Sequence, residues 1–228
     1  MDYDKPTKLK LLEHLMSFVS EERKKRFEDI LQHRTKHITV VLEDIFQPHN
    51  ASAVLRSCDL TGVQNVHIIE NRNNYNVNPN VALGSSKWLD LIRYNANDNN
   101  TLSTFNKLRN DGYTIVATTP HKYNFTLDTL PIDKKVAVVF GTELTGLSDL
   151  AISNADEYLR IPMYGFTESY NISVSAALTL FTLMQRLRKS DINWQLKDEE
   201  VSDILLNWAR NSVGRSEVIE RHFMNNAK

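Results

Sequence analysis

The chain has a single cysteine, Cys58, which excludes an internal disulfide and every zinc motif built from several cysteines. Cys58 lies in an amphipathic stretch, where it reads as a small packed side chain rather than a nucleophile. Glycine is scarce too. Gly62, Gly84, Gly112, Gly141, Gly146, Gly165 and Gly214 are the complete set, and their spacing cannot build G-x-G-x-x-G or a P-loop with its lysine. A Rossmann turn is therefore excluded as the nucleotide site. No apolar run approaches transmembrane length, and Met1-Asp2-Tyr3-Asp4-Lys5 lacks the order of a signal peptide, so a cytoplasmic location with no membrane contact is expected. The chain also lacks an excess of either charge, with 27 Lys and Arg against 28 Asp and Glu. Any hold on nucleic acid must then come from local clusters. Arg23-Lys24-Lys25-Arg26, with Arg34 and Lys36 nearby, forms one, and Arg186, Arg188 and Lys189 another; Glu21-Glu22 and Asp198-Glu199-Glu200 partly offset them. Such runs are more often solvated helix faces than binding patches.

What is present fits a soluble enzyme: 228 residues, 41% hydrophobic and 24% charged, suffice for one core of moderate size plus appendages. Between Thr7 and Gln32, Leu9, Leu12, Leu15, Met16 and Phe18, then Phe27, Ile30 and Leu31, recur at helical spacing and predict one or two N-terminal helices. Strands are expected at Ile38–Leu42, Asn65–Ile69, Leu89–Tyr94, Tyr113–Thr118, Lys135–Phe140 and Glu157–Ile161, with helices between most of them. That alternation predicts an α/β fold with a mostly parallel sheet. Trp194–Asn211 and Ser216–Asn225 read as a helical C-terminal extension, so the organisation is 1–37, 38–189 and 190–228. The Asn-rich stretches 71–80 and 95–100 read as loops.

Three segments carry candidate chemistry. After the first strand, residues 44–49 are expected to turn and Ser52–Leu60 to form a short helix, with Asn50 at its entrance and Arg56 under two turns further on. A planar guanidinium suits phosphate, and an amide can fix a ribose or backbone group. The second segment, Val136 to Leu147, is a buried strand breaking into a loop punctuated by Gly141 and Gly146, with Glu143 between them. The third, Ile161 to Ala177, passes through Pro162, Gly165, Ser169 and Asn171 into a helix running to about Arg188; either Ser169 or Asn171 can cap it.

Asn50, Ala53 and Arg56, then Gly141, Glu143 and Gly146, then Ile161-Pro162, Gly165, Ser169 and Asn171 resemble the three motifs of the SpoU/TrmH family of SPOUT-class RNA ribose 2′-O-methyltransferases. The resemblance runs from about Ile38 to Arg188. It departs at Tyr170, where the family usually has Leu. It implies a deep C-terminal trefoil knot and S-adenosyl-L-methionine held by the loops after three strands, with Thr118, Gly141, Ile161, Met163 and Tyr170 as the cofactor residues. It implies catalysis by Arg56 acting with an RNA phosphate on the ribose 2′-hydroxyl, with Asn50, Glu143, Ser169 and Asn171 orienting the groups. Arginine is too basic to act as a simple base, so its physical contribution is electrostatic. Glu143 can pair with Arg56 or accept a hydrogen bond from the loop.

The resemblance further implies a homodimer packed through the knot and an RNA partner. The flanking helical extensions fit best the tRNA branch, whose target is the D-loop guanosine at nucleotide 18; a ribosomal or other tRNA site is the alternative. Two other classes are open to test. A knotted protein that binds RNA without catalysis would not bind the cofactor, and a metal-dependent hydrolase would be inhibited by chelation. The latter is disfavoured, because His33 and His37 are separated by Arg34-Thr35-Lys36 without the glutamate of a zinc-protease helix, and no metal is expected.

Overall fold

The computed structural model describes residues 3–73, 75, 82 and 84–226. In chain order the elements are α1 (Lys5–Met16), α2 (Glu21–Leu31), β1 (Ile38–Glu43), α3 (Pro48–Thr61), β2 (Asn65–Ile69), β3 (Asp90–Tyr94), α4 (Thr101–Asn110), β4 (Tyr113–Thr118), β5 (Phe125–Thr126), β6 (Lys135–Phe140), α5 (Asp149–Ser153), β7 (Glu157–Arg160), α6 (Ile172–Arg188), α7 (Asp198–Ser212) and α8 (Ser216–Asn226). A 3-10 turn covers Ser85–Lys87. The expected loop over 71–80 lies outside the described residues except at 71–73 and 75.

The chain divides into two compact units, Thr35–Trp194 and a second that joins Met1–Arg34 to Gln195–Lys228. The larger is a sheet of seven strands in the order β3-β2-β1-β6-β4-β7-β5, with every pairing parallel. Apolar side chains alternate between its faces, as the pleat requires. Ile38, Val40 and Leu42 of β1 and Val136, Val138 and Phe140 of β6 pack with Val54, Leu55, Ala176, Leu180 and Leu183 of α3 and α6. Val41, Ala137 and Val139 point the other way, toward Phe105 and Leu108 of α4 and Ala151 of α5. Covering both faces explains why the strands read as continuous apolar runs. Each fully buried Val or Leu here contributes about 1.5–3 kcal/mol of transfer free energy.

The structure corrects the start of α3. The helix begins at Pro48, where the fixed φ of proline suits a first turn, so Asn50 lies inside the helix and Gln47 is the cap residue. The short β5 and α5 were not expected as separate elements.

The smaller unit is helical. Asp4 caps α1 by accepting from Thr7 N at 3.1 Å, and Ser20 caps α2 by accepting from Arg23 N at 3.3 Å. Phe27 packs against Trp208 with ring centroids 5.3 Å apart, and the guanidinium of Arg34 lies 5.4 Å from the Trp208 ring. Arg34 is therefore buried and does not belong to the surface cluster expected around Arg23–Arg26.

Candidate functional site

The carboxyl ends of β1, β4, β6 and β7 open on two clefts, separated by the loop that follows β6. This is where ligands sit in open parallel sheets, because the loops leaving neighbouring strands diverge there. The loop is built to be narrow. Thr142 and Gly146 exchange backbone hydrogen bonds of 2.9 and 3.0 Å, and the Thr142 and Thr145 hydroxyls bond at 2.7 Å. Gly146 has φ of 69°, which glycine adopts without strain. A Cβ on Gly141 would fall 2.3 Å from backbone atoms of Gly146 and Leu147, so only glycine lets the two ends of the loop meet.

The first cleft, of about 480 Å³, is lined by all five residues expected to hold a cofactor: Thr118, Gly141, Ile161, Met163 and Tyr170. Thr118 donates its hydroxyl to Val139 O at 2.8 Å, which ties β4 to β6 at the rim. Tyr170, the departure from the family pattern, contributes its side chain at a position 43% exposed. Ser169 lies beside it, exposed. Sequence reasoning missed His121 and Lys122 in this lining. Two reciprocal cation–π contacts, Lys122 over Tyr158 at 3.6 Å and Arg160 over Tyr123 at 3.7 Å, hold that segment against β7.

The second cleft, of about 670 Å³, lies across the loop and is lined by residues 43–47, Asn50, Asn71–Asn73, Asp98–Asn99 and 142–150. Glu143 and Ile172 line both clefts. Where the clefts meet, three of the expected catalytic residues join. The Asn171 amide donates to Glu143 Oε1 and, at 3.3 Å, to Asn50 Oδ1, while Asn50 donates to Gln47 Oε1 at 3.1 Å. The Asn171 carbonyl oxygen accepts from Ser173 N at 2.9 Å, which makes Asn171, not Ser169, the cap of α6.

Arg56 does not join them. It is exposed, lines neither cleft and makes no hydrogen bond or ion pair with any described residue. Six residues of helix turn it about 240° from Asn50, so the two leave α3 on different faces. Of the two alternatives for Glu143, pairing with Arg56 is not formed; it accepts a hydrogen bond from Asn171. The basic end of α6 is also reassigned. Arg186 donates to Leu127 O and Leu130 O at 2.6 and 2.7 Å, which fastens a loop, and Arg188 donates to Thr61 O at 2.7 Å, which holds the end of α3. Among the described residues no group of three or more His, Cys, Asp or Glu side chains is placed to hold a metal ion, and no helix is long and apolar enough to cross a membrane.

Fold and clefts together define a parallel α/β protein with a nucleotide-sized site beside a polar, hydrogen-bonded cluster at the strand ends. The chain belongs to the SpoU rRNA methylase family, whose pattern matches residues 37–181. It is 45% identical over 212 residues to the tRNA (guanosine(18)-2'-O)-methyltransferase of Borreliella burgdorferi, covering 93% of this chain and 95% of that protein. The crystal structure of the A. aeolicus TrmH/SpoU tRNA modifying enzyme superposes with a TM-score of 0.75 at 30% identity, covering 86% of this chain and 98% of that one. The SpoU methyltransferase AviRb from Streptomyces viridochromogenes, solved in complex with the cofactor AdoMet, shares the fold with a TM-score of 0.58 at 19% identity over 71% of this chain and 62% of that one.

Proposed function

We propose that this protein is an S-adenosyl-L-methionine-dependent RNA methyltransferase that modifies a ribose 2′-hydroxyl, and that its substrate is the D-loop guanosine at nucleotide 18 of tRNA. The observation that carries this reading is the Asn50–Asn171–Glu143 cluster at the junction of the two clefts. It stands beside a cofactor-sized cleft, and the substrate comes from the named activity of the 45% identical relative.

The first cleft fits the cofactor. Ile161 and Met163 give apolar wall, Gly141 brings backbone close to the cavity, and Tyr170 adds a ring. Bound there, S-adenosyl-L-methionine supplies a sulfonium methyl as the electrophile. The chain's own residues supply position and charge. Glu143 is held by Asn171 where the two clefts meet, and Asn50 fixes Asn171 from the other side. Holding the acceptor hydroxyl in line supplies much of the rate. The hydroxyl proton would leave to an RNA phosphate or to water. Arg56 stabilises the charge that develops on this oxygen and on the phosphate.

Since Arg56 faces away from its own chain's cluster, the reading includes a homodimer in which one subunit's Arg56 serves RNA held partly by the other. Val174, Leu178 and Phe181 line an exposed stripe along α6, with Phe181 61% exposed, and Leu60 on α3 is 76% exposed; these give the dimer an apolar face. The trefoil knot and a cytoplasmic location belong to the same reading.

The test is transfer of labelled methyl from S-adenosyl-L-methionine to unmodified tRNA, with the product nucleotide mapped. Label on the ribose of guanosine 18, falling by about 10²–10³ in kcat for Arg56→Ala with cofactor affinity unchanged, is the expected result. Label on ribosomal RNA alone would keep the chemistry and move the substrate, and absence of label on any RNA would overturn the enzyme. An active monomer in light scattering would overturn the dimer.

A further inference from the structure

We infer that the second cleft receives the base of the target nucleotide and reads it as guanine through Phe46, Arg72 and Asp98. The inference rests on the methyltransferase reading and assigns a binding site to the cavity which that reading leaves unused. Three observations carry it.

The first is placement. Glu143 and Ile172 form part of both clefts, so a nucleotide whose ribose lies at Glu143 opposite the first cleft has its base in the second. The second is construction. Two buried carboxylates set the walls: Glu43 accepts from Ser148 N at 2.9 Å, from the Ser148 hydroxyl at 2.8 Å and from the Thr101 hydroxyl at 2.7 Å. Asp44, at φ of 54°, accepts from Asn71 N and Arg72 N at 2.7 and 2.8 Å. Such internal bonding is what a preorganised pocket needs.

The third observation is what those walls present. Phe46 is 73% exposed in a cavity lining, which is costly for an aromatic ring without a partner and suits stacking on an unpaired base. Arg72 and Asp98 line the same cavity, and their charged groups pair with no described residue. Guanine matches that pair. Its O6 and N7 accept from a guanidinium, while its N1–H and 2-amino group donate to a carboxylate. Adenine reverses the polarity at N1 and at the 6-position and so meets an acceptor with an acceptor.

The experiment uses the full-length protein and two unmodified tRNAs that differ only at the target nucleotide, one with guanosine and one with inosine, which lacks the 2-amino group. Wild type should favour guanosine by at least roughly tenfold in kcat/KM. Asp98→Asn should bring the two substrates within about threefold by slowing guanosine, and Phe46→Leu should raise KM for both, each with unchanged cofactor affinity by calorimetry. Equal rates on both tRNAs in wild type, or a ratio untouched by Asp98→Asn, would overturn the inference while leaving the enzyme intact. Absence of methyl transfer to either tRNA by wild type would overturn the underlying reading and this inference with it.

Discussion

The loops after β6 and β7 line the same cleft and meet at Asn171, yet they are held by different means. The first closes on itself, with paired backbone hydrogen bonds between Thr142 and Gly146 and no room for a Cβ at Gly141. In the second, residues 162–170 make no hydrogen bond to any described residue, and Tyr164 and Phe166 stand 97% and 110% exposed. A Cβ on Gly165 would meet nothing nearer than Thr167 N at 4.0 Å. One wall of the cleft is therefore fixed before any ligand arrives, and the other is set by what it touches. The difference teaches that motif residues of one site need not share a physical role: Gly141 is required by its own loop, whereas Gly165 is not required by the loop it occupies.

The contrast can be attacked directly. Gly141→Ala should cost about 3 kcal/mol in urea unfolding, at the upper end for overpacking because backbone is what blocks the new methyl, and should abolish cofactor binding in calorimetry. A fully stable, cofactor-binding variant would erase the distinction. Chymotrypsin should cut after Tyr164 or Phe166 roughly a hundredfold faster than after Leu144, although Leu144 is 98% exposed, because the closed loop must open first. Equal cleavage would break the comparison from the other side. Gly146→Ala, with open space around the site but φ of 69°, should cost about 1 kcal/mol from backbone strain alone. Gly165→Ala should fall within about 0.5 kcal/mol of wild type.

The same contrast bears on what could be read from the sequence. Continuous apolar runs flanked by turn residues gave β2, β4 and β6 with their observed limits, since burial on both faces leaves little choice of residue. Two-residue β5 carries no periodicity, and five-residue α5 is too short for an amphipathic pattern. In the site, Asn50, Glu143 and Asn171, which the structure joins by hydrogen bonds, were legible as motif text, and the five residues expected to hold a cofactor line one cleft. The outward direction of Arg56 was hidden because the helix start was placed at Ser52 instead of Pro48, and Pro48 was the available signal. The fastening roles of Arg34, Arg186 and Arg188 were hidden for a different reason: a guanidinium bound to a carbonyl or a ring from a distant segment leaves no local trace. Glu43, an acid at the end of an apolar strand, lines the second cleft, and no motif in the sequence pointed to it.

Asn171 uses the two ends of one amide for two tasks. Its oxygen holds Ser173 N at the first turn of α6, its backbone carbonyl accepts Ser175 N at 2.9 Å, and its nitrogen holds Asn50 and Glu143. Fraying of that turn and loss of the polar cluster are consequently a single event, and whatever tightens the cluster must slow solvent exchange at the Ser173 and Ser175 amides. The helix start becomes a built-in reporter of site occupancy, readable one proton at a time without any label on the RNA.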